Sequence, residues 1–367
     1  MQPGAAPRKL DEVALFRAFP DLAGRIPWVR LGDWPTPVEE LRLGGGAPVW
    51  VKREDRSSRR YGGNKVRTLE AVLGRAAASG APRIWAIGAY GSNHALATVT
   101  HAPAAGMRAG IAVFPQPLTV AARANLSAIL AARPAVALMR TPLEVPLSMA
   151  LLRRRHPADH VMAPGGATPP GTFGALSAAL ELAEQVAAGQ LPAPERIVLA
   201  VGSTCTTAGV LVGLCVAERM GIGFGAAAPR PRVHAVRVTP WPVTSAGLIL
   251  SLAWRAARLL ESLVGPIARI GVDELARGLV VDGSQLGGGY GRITARGWRS
   301  AERFRAAGGP PLDVVYTAKS AAALLELQPG ARGPLLYWAS KSSAPIGHAS
   351  DDDLAAAPAR LRRWLAA

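Results

Sequence analysis

The chain has 367 residues, which is enough for two domains that each bury a hydrophobic core. Hydrophobic residues make up 49% and charged residues 18%, a composition that excludes an intrinsically disordered protein. The net charge of +17 would favour nucleic-acid binding, but the arginines are spread along the chain and no nucleic-acid motif accompanies them. We therefore expect no nucleic-acid partner. The alternative of a nucleic-acid-binding protein is supported by the net charge alone.

The cysteines, the first residues and the apolar runs of the sequence lead us to expect a cytoplasmic protein. Cys205 and Cys215 show neither a disulfide framework nor metal-ligand spacing, and no histidine cluster resembles a metal site, so we predict no bound metal. The first residues, Met1 to Gly4, lack the charged-then-apolar order of a signal peptide. The longest apolar run, near Ala246 to Trp254, is too short to cross a bilayer. We predict a cytoplasmic protein without membrane association.

The first half of the chain begins with a lead-in and then alternates strands with helices. A short helix is stopped by Pro20, Trp34 to Pro37 is extended, and Pro48 to Lys52 form a strand. From residue 66 to 163 the β-α-β-α pattern is typical of a parallel sheet covered by helices, and we assign this stretch to a small α/β domain. Its predicted strands are 83–87, 109–114 and 135–139, and its predicted helices are 66–78, a helix ending near 105, 119–132 and 145–155.

A glycine-rich segment, Gly165 to Gly171, returns the chain to a larger domain formed by residues 1–65 and 164–367. This part also mixes strands and helices, with an apolar helical region over 240–280 and a glycine loop at 287–291. The predicted fold class is therefore α/β, with two open, mostly parallel twisted sheets that carry helices on both faces. The other predicted strands are 197–201, 232–238 and 335–338, and the other predicted helices are 174–188, a helix ending near 220, 294–307 and 319–327.

The stretch Gly62-Gly63-Asn64-Lys65 joins a charged run to a predicted helix. Two glycines allow a tight turn and a close approach of the backbone to a ligand. Only five of the 42 basic residues are lysines, and Lys65 is the one at which a glycine-rich turn enters a helix. Arginine stays protonated and cannot form a Schiff base, so Lys65 is the candidate reactive amine. The alternative is a surface lysine in the first turn of a helix.

Two loops at the ends of predicted strands carry hydroxyl and amide side chains. The loop Gly202 to Thr207 offers backbone N–H groups and hydroxyls at the start of a helix, which favours a phosphate. The loop Ser92-Asn93-His94 precedes another helix. Both loops lie at the carboxyl ends of strands, where open parallel sheets bind their ligands. Ordinary helix capping is the alternative for each loop.

Together the lysine and the two loops supply what pyridoxal phosphate requires: an amine for the Schiff base, a phosphate loop and an amide for the phenolic oxygen of the ring. The motifs that carry this pattern resemble the 1-aminocyclopropane-1-carboxylate deaminase / D-cysteine desulfhydrase family. The resemblance runs from about residue 30 to 345 and implies the tryptophan-synthase-β-like fold, which is fold type II of the pyridoxal-phosphate enzymes. The motifs are Val51-Lys52-Arg53-Glu54-Asp55, Gly62-Gly63-Asn64-Lys65-Val66-Arg67, Ser92-Asn93-His94 and Tyr316-Thr317-Ala318-Lys319.

The resemblance implies a role for each matching residue. Lys65 would form the Schiff base and move the α-proton of the substrate. Asn93 would bind the 3′-oxygen of the ring, and Ser92 would take part in catalysis. Tyr290 and Tyr316 would flank the substrate as catalytic residues, although either also fits a packed aromatic side chain with a satisfied hydroxyl.

The remaining implied roles concern two anionic groups and the pyridine nitrogen. The substrate carboxylate would be faced by Ser92, Asn93 and His94. The cofactor phosphate would be held by Gly202, Ser203, Thr204 and Thr206. The pyridine edge of the cofactor would lie at Thr317 and Ser340.

Departures from the family pattern decide which reaction we predict. Thr317 stands where the deaminase branch carries a glutamate beside the pyridine nitrogen, and Ser340 would be a neutral hydroxyl partner of that nitrogen. A hydroxyl keeps the ring a weaker electron sink than a carboxylate does. This favours reactions in which a leaving group removes the negative charge quickly. We therefore predict α,β-elimination on a small amino acid, as in a D-cysteine desulfhydrase-like lyase.

Further departures keep other functions open. Thr204 and Cys205 replace two glycines of the phosphate loop, Ala339 replaces a histidine, and Lys341 brings a charge to the pocket or its rim. The alternatives are ring-opening deamination of the cyclopropane amino acid, β-replacement, and a catalytically weakened paralogue that still binds the cofactor. The resemblance also implies a homodimer.

Overall fold

The protein was analysed as a computed structural model that describes residues 10–226 and 228–367. Lys9 and the residues Met1 to Gly4, on which the signal-peptide expectation rests, lie outside the described part. Within that part no helix combines the length and the apolar character needed to cross a membrane. The same residues contain no group of three or more His, Cys, Asp or Glu side chains that could hold a metal ion.

Ten strands within the described residues form two separate sheets, which confirms the predicted fold class. The larger sheet has the order β1-β2-β10-β7-β8-β9, in which only the β1–β2 pair is antiparallel. The smaller sheet has the order β5-β4-β3-β6 and is entirely parallel. The strands are β1 (Val38–Leu41), β2 (Val49–Lys52), β3 (Arg83–Ala89), β4 (Arg108–Phe114), β5 (Ala135–Leu138), β6 (His160–Val161), β7 (Arg196–Val201), β8 (Arg232–Arg237), β9 (Leu279–Asp282) and β10 (Leu335–Trp338).

Thirteen α-helices within the described residues connect and cover these strands. They are α1 (Ala14–Ala18), α2 (Asn64–Ala78), α3 (Asn93–His101), α4 (Val120–Ala131), α5 (Val145–Arg155), α6 (Phe173–Ala187), α7 (Cys205–Arg219), α8 (Ala246–Val264), α9 (Val272–Arg277), α10 (Ala295–Ala306), α11 (Thr317–Leu327), α12 (Asp351–Ala356) and α13 (Ala359–Ala366).

The central strand β7 shows why helices lie on both faces of the larger sheet. Four of its five apolar residues are almost fully buried, as expected for a parallel strand that is covered on both sides. Successive side chains of a strand point to opposite faces. Accordingly Ile197 and Leu199 belong to one hydrophobic core, while Val198 between them belongs to a second core on the other face.

Several elements were not predicted. The antiparallel edge strand β1 lies in what the sequence presents as a lead-in, and the edge strand β9 lies where we expected a helical end of the 240–280 region. Helices α12 and α13 were also missed. They pack beside the smaller sheet, where the Trp364 ring meets Tyr90 edge-to-face at 5.5 Å. The division into a large domain (1–65 and 164–367) and a small domain (66–163) stays a prediction.

Candidate active site

A cavity of about 350 Å³ lies where loops from the carboxyl ends of both sheets meet. Its walls come from the segments after β3, β7 and β10 and from the start of α2. Parallel strands bring their following loops to one edge of a sheet, which explains why distant segments converge here. All twelve residues singled out from the sequence line the cavity: Lys65, Ser92, Asn93, His94, Gly202, Ser203, Thr204, Thr206, Tyr290, Tyr316, Thr317 and Ser340.

The turn before α2 places Lys65 at the cavity. Gly63 has φ +90°, and a Cβ there would lie 2.7 Å from the Ser340 carbonyl oxygen, so a larger residue would collide with the backbone. The backbone N–H of Asn64 donates to the same carbonyl at 3.1 Å. The turn is thereby fixed to the segment that follows β10, and Lys65 comes in the first helical turn.

A buried ion network lies behind this turn. Glu181 on α6 accepts hydrogen bonds from Lys52 Nζ at 2.5 Å and from both terminal nitrogens of Arg67 at 2.9 and 3.0 Å. Arg67 also pairs with Glu54, whose carbonyl oxygen accepts the Gly63 N–H at 2.8 Å. Burial alone would raise the pKa of Glu181, but Arg67 and Lys52 lower it to about 2. The network therefore joins the Lys65 turn to the core through paired charges.

Lys65 itself forms no ion pair with the described residues. Its Nζ lies 3.5 Å from Ser203 Oγ, which is at best a weak hydrogen bond. Burial lowers the pKa of Lys65, and the nearby Cys205 sulfur opposes this only in part. Burial thus favours the neutral amine, which is the form that acts as a nucleophile and as a base.

The loop from Gly202 to Thr206 joins β7 to the amino end of α7, a helix of 15 residues. Thr206 Oγ1 accepts a hydrogen bond from Asn64 Nδ2 at 2.8 Å, which ties this loop to the Lys65 turn. Thr207 Oγ1 is buried and has no partner among the described residues. Thr204 adopts the left-handed region at φ +66°, where a β-branched residue is strained. The amino end of α7 thus presents hydroxyls and backbone donors to the cavity.

The Ser92-Asn93-His94 loop joins β3 to α3. Ser92 Oγ accepts the Ala95 N–H at 3.2 Å, so Ser92 does cap the helix while it lines the cavity. Asn93 Oδ1 accepts from three donors, Tyr61 Oη, Asn125 Nδ2 and Lys341 Nζ, at 3.0, 2.8 and 3.0 Å. This orientation leaves the Asn93 amide nitrogen as the donor for a ligand.

His94 lies buried at the cavity beside Lys65. Neither of its ring nitrogens has a partner among the described residues. Burial, together with the charge of Lys65, lowers the pKa of His94 to about 3, so the ring is neutral at physiological pH. A neutral, unpaired imidazole in a cavity wall can either donate to or accept from a ligand.

Tyr290 and Tyr316 form a hydroxyl pair in the cavity wall. Tyr316 Oη donates to Tyr290 Oη at 2.5 Å, and the two rings meet edge-to-face. Burial raises the pKa of both hydroxyls, so both stay protonated at neutral pH. The pair can therefore give a proton to a group in the cavity.

Thr317 has a neighbour that the sequence did not predict. Its Oγ1 donates to the Asp313 carboxylate at 2.8 Å, and Asp313 also accepts the backbone N–H groups of residues 315–317. Asp313 lines the same cavity. The predicted purely hydroxyl edge of Thr317 and Ser340 therefore has a carboxylate beside it.

Comparison with known proteins places this site in a family. The family model for "Pyridoxal-phosphate dependent enzyme" matches residues 29–329. The chain belongs to this family of pyridoxal-phosphate dependent enzymes. Its cofactor is pyridoxal phosphate, and the resemblance inferred from the motifs is confirmed.

Relatives of this pyridoxal-phosphate enzyme carry several names. The chain is 34% identical over 335 residues to nocardicin C-9′ epimerase of Nocardia uniformis subsp. tsuyamanensis, covering 88% of this chain and 95% of the relative. It is 31% identical to a putative 1-aminocyclopropane-1-carboxylate deaminase of Pyrococcus horikoshii, covering 83% of this chain and 88% of the relative. It is 28% identical to D-cysteine desulfhydrase of Salmonella paratyphi C, covering 82% of this chain and 88% of the relative.

A solved structure described as an ACC deaminase homologue shares the fold. It aligns with a TM-score of 0.72 at 24% identity and covers 95% of this chain and 100% of its own. At this identity the comparison shows the fold alone.

The cavity of this enzyme fits pyridoxal phosphate on observations of its own residues. The amino end of α7 suits a phosphate, because backbone N–H groups and the helix dipole favour an anion there. The unpaired polar atoms of His94 and Thr207 are groups that a polar ligand satisfies. Lys65 offers the amine, and the orientation of Asn93 offers a donor for an oxygen. The individual roles of these residues stay proposals.

Sequence reasoning missed three residues at or behind the cavity: Asp313, Asn125 and Tyr61. Asp313 carries a signal that could have been used, because Asp is favoured just ahead of a helix, where its carboxylate can accept free backbone N–H groups. Tyr61 and Asn125 carry no such signal. They come from separate segments and reach the site through their contacts with Asn93 and Lys341.

Proposed function

We propose that the enzyme catalyses α,β-elimination on a small amino acid. The observation that carries this proposal is that one cavity holds both a base and an acid. Lys65 is a partly buried amine without an ion-pair partner among the described residues, and Tyr290 and Tyr316 are a protonated hydroxyl pair. Elimination requires a base for the α-proton and an acid for the departing β-substituent.

Each group has a defined task in this scheme. When bound, pyridoxal phosphate withdraws electrons from the bonds at the α-carbon of the substrate. Lys65 takes the α-proton, and a proton from the tyrosine pair neutralises the leaving group. Loss of the β-substituent leaves an enamine, which hydrolyses in water to a 2-oxo acid and ammonia. His94 and the amino end of α3 receive the substrate carboxylate.

The pyridine edge of the site also favours elimination. Thr317 and Ser340 present hydroxyls there, while the Asp313 carboxylate is already occupied by three backbone N–H groups and by Thr317. A carboxylate shared in this way is a weaker partner for a pyridine nitrogen than an unshared one. The site thus suits a reaction in which the negative charge leaves with the β-substituent.

A substrate panel tests this proposal. The holoenzyme is incubated with D- and L-cysteine, D- and L-serine and the cyclopropane amino acid, and pyruvate, 2-oxobutyrate, ammonia and sulfide are measured. Elimination predicts pyruvate with equal ammonia from cysteine or serine. The appearance of 2-oxobutyrate alone would replace it by ring opening, and a new amino acid formed with an added thiol would replace it by β-replacement. No product from any substrate, with cofactor bound, would favour a catalytically weakened paralogue.

Epimerisation at the α-carbon is a second candidate. It is favoured by the Nocardia relative, which is named an epimerase and matches over 95% of its length. The reaction needs the same base for the α-proton but no leaving group. It predicts that deuterium from heavy water enters the α-position and that the enantiomer accumulates without any 2-oxo acid.

We also propose that the enzyme is a cytoplasmic homodimer. Exposed leucines around α5 give some support for self-association, since Leu143 is 87% and Leu147 is 61% exposed. Light scattering coupled to size-exclusion chromatography measures the mass in solution. A mass of one chain across the micromolar range would contradict the dimer.

A further inference from the structure

Lys341 places a second amine in the wall of the cofactor cavity. It follows β10 and lines the cavity together with Asn93. Its Nζ lies 3.0 Å from Asn93 Oδ1, 3.3 Å from Tyr61 Oη and 3.5 Å from Asn125 Oδ1. The same Nζ lies 5.4 Å from the centre of the Tyr61 ring. All of these partners are neutral.

A partly buried ammonium whose hydrogen-bond partners are all neutral favours an anion nearby. The hydrogen-bond partners of Lys341 Nζ among the described residues include no carboxylate, and Asp313 is the acidic group whose charge acts on it. Burial lowers the pKa of Lys341, with Asp313 opposing the shift. Taking an ammonium partly out of water without a counter-ion costs solvation free energy. A negatively charged ligand atom in the cavity offsets that cost.

Asn93 connects this charge to the ligand. Its Oδ1 takes the donors of Lys341, Tyr61 and Asn125, so its amide nitrogen is the side that remains to donate. A cation on the carbonyl side of an amide polarises the amide and strengthens the donor on the other side. Lys341 thus donates to the carbonyl oxygen of Asn93, and the amide nitrogen of Asn93 donates in turn to a ligand in the cavity.

We propose that Lys341 is a positioning residue that acts through Asn93 to place positive charge beside the phenolic oxygen of bound pyridoxal phosphate. The inference rests on the proposed contact between Asn93 and that oxygen. It does not depend on which reaction follows. The titratable group that touches Lys341 is Tyr61, and burial raises the pKa of its hydroxyl, which stays protonated. The cavity also holds Lys65, His94, Asp313, Tyr290 and Tyr316, and none of them forms a hydrogen bond or ion pair with Lys341 within the described residues.

The test is a pH titration of the visible absorbance of the holoenzyme without substrate. A nearby cation favours the more negative form of the bound cofactor, so it lowers the midpoint of that titration. Lys341→Met should raise the midpoint by about one pH unit or more, and Lys341→Arg, which keeps the charge, should restore most of the shift. In the Asn93→Ala background the Lys341→Met shift should shrink, because the two residues act together.

The titration midpoint and the cofactor binding of the Lys341 variants decide whether the proposal stands. A Lys341→Met enzyme that binds the cofactor and titrates like the wild type overturns it. If Lys341→Met loses the cofactor, Lys341→Gln is titrated by the same criterion. If both neutral variants lose the cofactor while Lys341→Arg retains it, the charge is required and the proposal stands. If Lys341→Arg loses it as well, the shape of lysine matters rather than its charge, and the proposal falls.

Discussion

The buried carboxylate of Glu181 gives the sharpest prediction about the scaffold of the site. Glu181→Gln leaves Lys52 and Arg67 buried with Glu54 as the remaining carboxylate of the network. Breaking a buried ion pair by removing one partner costs about 3–5 kcal/mol. Gln still accepts one hydrogen bond, so we expect a loss of about 3 kcal/mol in the free energy of unfolding, at the lower end of that range.

A neighbouring residue on the same helix supplies the matched control. Glu184 pairs with Arg17 at the surface, where their side chains are 33% and 35% exposed. An exposed pair contributes about 0–1 kcal/mol, so Glu184→Gln should cost less than about 1 kcal/mol. Urea unfolding of the apo-proteins, followed by circular dichroism, measures both losses. Equal losses in the two variants would refute the reasoning.

The pH dependence of the stability difference between wild type and Glu181→Gln provides a second check. The pKa of Glu181 is lowered from 4.5 to about 2 in the folded protein. A depressed carboxyl pKa gives stability that is fully present above the unfolded value and is lost as the pH falls through the folded value. The stability gap between wild type and Glu181→Gln should therefore narrow between pH 5 and about pH 2. A gap that stays constant over this window would show that ionisation of Glu181 is not its source.

Two further predictions concern the cavity. Thr204→Gly removes the strain of a β-branched residue in the left-handed region, about 1–2 kcal/mol, and adds about 0.5–1 kcal/mol of chain entropy to the unfolded state. Urea unfolding should therefore find Thr204→Gly at least as stable as Thr204→Ala. A glycine variant that is less stable than the alanine variant would contradict the strain at Thr204. Tyr316→Phe should lower kcat for pyruvate formation by about 10²–10⁴-fold, with a smaller change in KM. The control Tyr90→Phe, at a tyrosine outside the cavity, should leave kcat unchanged. An unchanged kcat in Tyr316→Phe would show that the tyrosine pair is not the acid.

The sequence predicted the fold where its signals are local. Strands β3, β4 and β5 of the smaller sheet alternate with helices, and β7 is a continuous apolar run, so their positions could be read directly from the residues. The two-residue strand β6 was not predicted. Edge strands such as β1 and β9 escape this approach, because their pairing is set by a neighbour that is distant in the chain. Their side chains are only partly buried and carry little pattern.

The candidate site shows the same limit. Lys65, Asn93 and the Gly202 loop are marked by residue types that few other functions require, and the structure brings them to one cavity. The hydrogen-bond partners and neighbouring charges of those residues could not be predicted. That Asn93 Oδ1 is saturated by three donors, and that Asp313 stands beside Thr317, follow from contacts between segments that the sequence keeps far apart.

The central claim is that Lys65, among the amines of this cavity, carries the cofactor. The holoenzyme is reduced with sodium borohydride, digested, and mapped by mass spectrometry for the lysine that has gained the reduced pyridoxal-phosphate group. We predict the label on the peptide that contains Lys65, and a Lys65→Ala protein without the visible absorbance of the bound cofactor. A label on Lys341 or Lys319, or an unchanged visible band in Lys65→Ala, would contradict the account.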